Sequence, residues 1–524
     1  MKITAVISHY KITFIAFCVF SLAAVLLFYI LAYGHSWYPM GWDAGYYMSQ
    51  VRMLVEGKVT LANLVSPRSG YMLFSALIIK LTGFSVQTAE IIIPDALLII
   101  LSGIAAGITK KISGKWSISV LTFILHLFIY RLLRMTQSLS ANLLAITILY
   151  SLIWFFLKYF AKPKILIPIM LVGLALIGLT HTETLLFALL FFFIVGVLTM
   201  IVCPKKISRP LASLYFFIVP ACVILLALFL VPNHTSISAL AQSYVNSLYP
   251  VAETSLANTG VPLVQQEWWT VLMGYLRMYG IDILTVLATV GSAALLVKRR
   301  QLWSYMLLAW MLVVIGITSI AIGHNTFVYQ RTDLLWPQPM LIILGFAAIS
   351  KSIKKPTQRM AIIAAVSVGI ITSGTSYARN FQLWFPRASI MQLKIVDQKL
   401  ISQPDNLSWD VLVYKSPNTN DQNTTYYKLW ADNIGAAIHS KYTRSMCVYA
   451  DTYEGYLAYL NNREREKEFS IVPGTRQLCQ RAPSGNVIIV QALYVPWTSE
   501  IITMKQTLIR QLYRDPNVII GRRI

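Results

Sequence analysis

Thr88-Ala-Glu-Ile-Ile-Ile-Pro-Asp-Ala-Leu-Leu-Ile-Ile-Leu-Ser-Gly-Ile-Ala-Ala-Gly-Ile-Thr109 runs straight into Lys110-Lys111-Ile-Ser-Gly-Lys115. A helix needs roughly 20 mostly apolar residues to cross a bilayer, and a basic cluster at its end marks the cytoplasmic side. The pattern recurs along the chain. Eleven segments read as spans, near 12–33, 88–109, 116–133, 141–160, 165–180, 184–203, 211–231, 279–297, 302–323, 334–350 and 360–378. The loops between alternate segments hold 18 basic residues and no acidic ones: Lys2 and Lys11, then Lys110 to Lys115, Lys158 to Lys164, Lys205 to Arg209, Lys298 to Arg300, and Lys351 to Arg359. The N-terminus is therefore expected inside and everything after residue 378 outside.

Composition agrees with this reading. Of 524 residues, 56% are hydrophobic and 12% charged, and mean hydropathy is +0.62; an average soluble protein carries about 25% charged residues. Five Cys exclude a disulfide-dense secreted scaffold. The net charge of +23 is largely a topology signal, so no nucleic-acid partner is expected. The expected fold class is an all-α polytopic membrane domain of about 11 transmembrane helices over residues 1–378, with a C-terminal extracytoplasmic α/β domain over 379–524. The apolar stretch Tyr71 to Gly83 would break the parity of the charges if it crossed, and it is short for a span. It is expected as an interfacial or re-entrant helix within the outer loop 34–87.

Only nine acidic residues precede residue 379, and on this topology all lie in outer loops or the outer halves of spans. Acids influence insertion little, so an outward-facing reaction or binding site is the better explanation, with solvated loop acids as the alternative. The first outer loop, Gly34-His-Ser-Trp-Tyr-Pro-Met-Gly-Trp42-Asp43-Ala-Gly-Tyr46-Tyr47, surrounds one carboxylate with aromatic rings. Such an acid can take a proton from a hydroxyl while rings bind sugar faces. An interfacial aromatic belt with a turn-forming Asp would read the same way.

Residues Ser66-Pro-Arg68-Ser-Gly-Tyr-Met-Leu-Phe-Ser-Ala-Leu-Ile-Ile-Lys-Leu-Thr-Gly83 follow that Asp loop. Together they resemble the GT-C superfamily of polytopic glycosyltransferases, which includes oligosaccharyltransferases, protein O-mannosyltransferases and lipid A aminoarabinose transferases. The resemblance extends to Ile93-Pro94-Asp95-Ala-Leu, to Gly178-Leu-Thr-His181-Thr-Glu183 and to Tyr329-Gln-Arg331-Thr-Asp333-Leu-Leu-Trp-Pro337-Gln-Pro339. It covers about residues 35–185 and 324–350. Where many members carry an acid in the second outer loop, this chain reads Ser138-Leu-Ser-Ala-Asn142-Leu-Leu.

The resemblance implies sugar transfer from a polyprenyl-phosphate or polyprenyl-diphosphate donor to a lipid, glycan or protein acceptor at the outer face of the plasma (inner) membrane. A phosphate leaves without a general acid, so one carboxylate acting as base can suffice, with inversion at the sugar carbon. Asp43 is the expected base. Arg331 is the expected donor-phosphate ligand, because a guanidinium binds phosphate in a bidentate manner; pairing with Asp333 is its alternative. Trp42, Tyr46, Tyr47, Arg68, Asp95, His181, Glu183, Arg277 and Asp333 are candidate substrate contacts. Asp95 counts because an acid inside a span is costly unless it serves a polar cavity. His181 and Glu183 read equally as a hydrogen-bonded helix-end pair. The departure at Asn142 leaves metal unassigned; any divalent cation would be Mg or Mn, which carboxylate-rich sites favour.

The outer loop 232–278, with Gln265-Gln-Glu267-Trp268-Trp269, is long enough to be a cover over the donor site. Two other functions stay open: a transporter or flippase of lipid-linked sugars, and a ligase or polymerase of surface polysaccharide. No internal repeat favours the transporter. In the tail, Trp409–Tyr414, Met446–Tyr449 and Gly485–Val490 read as strands, with helical patterns near 424–441, 451–462 and 500–514. Cys447 and Cys479 are expected to form a disulfide if the tail is extracytoplasmic, which closing the loop would stabilise by roughly 3–4 kcal/mol; two buried thiols are the alternative.

Overall fold

The computed structural model describes residues 44–57, 68–129, 132–133, 135–136, 139–202, several positions between 305 and 313, 353–384, and five strands between 409 and 523. Among these, the helices are α1 (Ala44–Val55), α2 (Ser69–Thr82), α3 (Val86–Ser113), α4 (Trp116–Leu127), α5 (Ser140–Tyr159), α6 (Pro163–Thr180), α7 (Thr182–Val202) and α8 (Pro356–Trp384). The expected spans near 12–33, 211–231, 279–297 and 334–350, most of the one near 302–323, and the loop 232–278 lie outside the described residues.

Three helices are long and apolar enough to cross a membrane, Thr88–Ser113, Ser140–Tyr159 and Pro163–Thr180, and each coincides with an expected span. One expectation needs correcting. The segment 116–133 forms a 12-residue helix that stops at Leu127, about 18 Å of helix at 1.5 Å per residue against a hydrocarbon core of about 30 Å. Among the described residues beyond it, Leu132–Leu133 and Met135–Thr136 are helical.

Helix boundaries follow local chemistry. Gly83 ends α2 in the left-handed region at φ 71°, and its N–H donates to the Ile79 carbonyl. Gly114 does the same for α3 at φ 73°; no other residue adopts this conformation as cheaply. Ser85 caps α3 by accepting from the Thr88 N–H, and Pro163 opens α6 where its missing N–H is harmless. The apolar stretch from Tyr71 thus lies in one 14-residue helix, α2 (Ser69–Thr82), with Gly83 as its cap.

Hydroxyls within the apolar helices are hidden rather than avoided. Ser102, Thr109, Thr122, Thr147, Thr180 and Thr199 each donate to the carbonyl one turn back, at 2.6–2.9 Å, which satisfies them without a tertiary partner. Ser119 instead donates across the α3/α4 hairpin to the Ala106 carbonyl at 2.7 Å. One continuous apolar core joins α1 to α7 with Trp310 and Ile370. In it the Trp310 ring meets Phe187 at 4.5 Å and Phe191 at 5.3 Å, both edge-on, the arrangement that ring quadrupoles favour.

Helix α8 meets the end of α4 through Gly374, where an added Cβ would collide with the Phe128 carbonyl. Gly374→Ala is therefore expected to cost about 2 kcal/mol, the usual scale of overpacking, measured as a shifted unfolding midpoint in detergent.

The tail contains a five-stranded mixed sheet in the order β2-β1-β3-β5-β4. The strands are β1 (Trp409–Tyr414), β2 (Met446–Asp451), β3 (Asn486–Gln491), β4 (Ile509–Arg514) and β5 (Val518–Arg523). β1 pairs in parallel with β2 and β3, while β5 runs antiparallel to β3 and β4. The inner strands β1 and β3 read as near-continuous apolar runs, as doubly paired strands do. The expected helix at 500–514 is corrected at its end: Ile509–Arg514 is an edge strand that pairs antiparallel with β5, with a bulge near Gln511/Tyr513. Cys447 sits on β2 opposite Asp410 of β1; Cys479 and the patterns at 424–441 and 452–462 lie outside the described residues.

Candidate functional site

The helices gather polar side chains at one end of the bundle. Helix α2 crosses the C-terminal end of α6 so closely that a Cβ on Gly70 would lie 2.6 Å from Thr180 Oγ1 and 2.9 Å from the Leu179 carbonyl. Ser69 Oγ donates to that carbonyl at 3.4 Å. One residue on, the Tyr71 ring is fully buried and meets the Tyr47 ring of α1 edge-on at 4.9 Å. Arg68, at the N-terminus of α2, places its guanidinium 5.8 Å over that same Tyr47 ring, within reach of a cation–π attraction.

Tyr71 also links α2 to α3. Its hydroxyl donates to Glu90 Oε2 at 3.0 Å, both groups being buried. Burial, reinforced by the Glu90 carboxyl, holds the Tyr71 phenol well above its ordinary pKa, so it stays a proton-bearing donor. The hydroxyls of Ser140 from α5 and Ser75 from α2 flank the same phenol. Asn142, one turn into α5, is 2% exposed.

Asp95 is 6% exposed within α3, five residues beyond Glu90 and next to the helix-interior Pro94. It lies within the apolar helical stretch Thr88–Ser113, which is long enough to cross a membrane. His181 is also buried, and its place is now specific. The Thr184 N–H donates to His181 Nδ1 at 3.2 Å, and Thr184 Oγ1 lies 2.8 Å from the same nitrogen. A ring nitrogen that accepts an N–H carries no proton itself, so the neutral ring is protonated at Nε2. His181 thus caps the start of α7; the side chain of Glu183, its expected partner, lies outside the described residues.

Of the expected site residues, the structure brings Tyr47, Arg68 and His181 to this end of the bundle and buries Asp95 in the adjoining helix. Trp42, Asp43, Arg277, Arg331 and Asp333, and the side chain of Tyr46, lie outside the described residues. Sequence reasoning passed over Tyr71, Glu90 and Ser140. The available signal was Glu90 itself, an acid in the second turn of an apolar helix. Among the described residues, no three His, Cys, Asp or Glu side chains come together as metal ligands would.

This backbone is shared with proteins of known structure. ArnT from Cupriavidus metallidurans bound to undecaprenyl phosphate aligns over 98% of this chain and 98% of its own, at 10% identity and TM-score 0.55. The apo state of the same protein aligns over the same shares at 12% identity and TM-score 0.52. The chain has the GT-C fold. The archaeal oligosaccharyltransferase AglB from Archaeoglobus fulgidus aligns over 90% of this chain and 69% of its own, at 11% identity and TM-score 0.48. No protein-family model matches the chain, and no curated protein matches it in sequence. At such identities the GT-C likeness is one of helix path rather than of side chains.

Proposed function

We propose that this GT-C-fold chain is an integral membrane glycosyltransferase that moves a sugar from a polyprenyl-phosphate-linked donor to an acceptor at the outer face. One observation carries the reading: the polar side chains of the described helices converge at one end, beside the start of α1, while lysines occupy the other end. A solved structure with the same fold holds undecaprenyl phosphate, itself a polyprenyl phosphate, which supports the donor class.

Asp43 is the base. In sequence it directly precedes Ala44, where α1 begins. Tyr47, four residues on, belongs to the buried polar cluster, which ties this end of α1 to the site. Arg331 binds the donor phosphate and stabilises the charge that develops as it leaves, with Arg68 and Arg277 as further cations. The acceptor hydroxyl or amide gives its proton to Asp43 and attacks the sugar's anomeric carbon; the C–O bond to phosphate breaks and configuration inverts. The residue 232–278 loop covers the donor, and the tail orients the acceptor.

The test is transfer by purified wild-type protein in proteoliposomes, with polyprenyl-phosphate and polyprenyl-diphosphate sugars as donors and membrane extract as acceptor. Inverted product from one donor class is the expected result. Donor translocation without transfer would replace this reading by the transporter. Reporter fusions after Lys111 and after Arg379 are expected on opposite sides of the membrane, and a same-side result would overturn the orientation.

A further inference from the structure

The opposite end of the bundle is as distinctive as the polar one. Lys110 and Lys111 end α3, and Lys115 precedes α4; Lys158 ends α5, and Lys162 and Lys164 begin the turn into α6. These residues belong to two separate turns. Packing of α3 on α5 brings the turns side by side, with Trp154 Nε1 3.5 Å from where a Cβ on Gly107 would lie. Six cations thus share one end of one helix pair.

Nothing in these helices neutralises them. The chain contains no acidic residue between Asp95 and Glu183, and the other membrane-part acids fall outside the basic loops. Grouping like charges at a surface is unfavourable unless anions gather there. Two of the ammonium groups are also held at a defined depth. Lys110 Nζ lies 4.5 Å over the Trp116 ring and donates to the Gly114 carbonyl at 3.1 Å. Lys158 Nζ lies 4.7 Å over Trp154 and 5.1 Å over Tyr159. Tryptophan and tyrosine at span ends sit at headgroup level, and lysines beside them reach to the same level. Beside these cations, Trp116 is 48% exposed and Ile165 45% exposed, so the surface is apolar immediately next to the charge.

We infer that the α3/α4 and α5/α6 turns form a binding site for anionic phospholipid, whose phosphate lies between the ring-held Lys110 and Lys158 and whose acyl chains lie against Trp116 and Ile165. The chemistry is amphiphilic: the ring-held cations face a phosphate, and the exposed indole and isoleucine beside them face acyl chains. The site is distant from the proposed transfer chemistry and does not depend on it.

The test uses the full chain in nanodiscs of phosphatidylcholine with one quarter phosphatidylglycerol, counting retained lipid by native mass spectrometry after mild delipidation. Wild type is expected to retain phosphatidylglycerol selectively, and Lys110→Gln with Lys158→Gln to lower that retention about tenfold or more, as the loss of two surface cations allows. The paired Lys→Arg variants, which keep the charge, are expected to retain the lipid and serve as the folded control. Lys354→Gln with Lys355→Gln removes the same charge elsewhere and is expected to change retention less than about twofold. Equal losses from both pairs would mean a diffuse surface potential and overturn the site. So would wild-type protein that retains no excess phosphatidylglycerol, or lipid displaced by inorganic phosphate at matched ionic strength.

Discussion

Asp43→Asn is expected to leave the protein folded and to lower sugar transfer about a thousandfold, within the range for loss of a positioned general base. Asparagine preserves the shape and hydrogen-bonding capacity of aspartate, so the fold should tolerate it. What disappears is the ability to take a proton from the acceptor as it attacks. Since a phosphate leaves without protonation, no second acid is available to mask the loss. The assay is initial transfer rate per mole of folded protein, with thermal unfolding of both proteins as the control. Full activity in the variant would remove Asp43 from the chemistry and move the search to Glu183 and Asp333. Glu90 is a weaker substitute, because its carboxyl already accepts the Tyr71 hydroxyl inside the bundle.

Tyr71→Phe is expected to destabilise the protein by about 3 kcal/mol, the upper range for a buried acceptor that loses its donor. The ring remains against Tyr47, so little packing is lost; the cost comes from Glu90, left in an apolar setting without its hydroxyl partner. Glu90→Gln keeps an acceptor oxygen for Tyr71 and should cost much less. Tyr71→Phe combined with Glu90→Leu removes both polar partners, and its cost should fall well below the sum of the single changes, since the pair acts as one unit. The measurement is a double-mutant cycle of unfolding midpoints in detergent. Additive costs would show that the hydrogen bond carries no coupling, leaving α2 held to α3 by apolar contact alone.

The membrane helices were legible because each carries its reason locally. The run ending at Lys110-Lys111, the Gly114 stop and the Pro163 start are signals of a few residues, and α3, α5 and α6 formed where those signals stand. Helix α4 was overread because the apolar run through Phe128 and Ile129 does not show that the helix itself ends at Leu127. In the tail, β1 to β3 were legible as apolar runs, whereas Ile509–Arg514 carried helix-like spacing and became an edge strand through pairing with β5. Pairing is non-local, and an edge strand has the weakest local signature of any.

The candidate site divides in the same way. Asp43 and Arg331 stood out by residue type within short motifs. Tyr71 did not, since a tyrosine in an apolar helix reads as core until its partner is known, and that partner lies 19 residues away on another helix.

By itself, then, the sequence determined that this is a membrane protein, where its described spans start, and the orientation expected from its lysines. Period, hydropathy and charge act within about 20 residues, the length of a span. Only the tertiary structure decided that Tyr71 meets Glu90 and that lysines from two turns share one end of one helix pair. Those contacts depend on how α2 packs on α3 and how α3 packs on α5. Helix crossings are set by the summed packing of side chains distant in sequence, which no local pattern encodes.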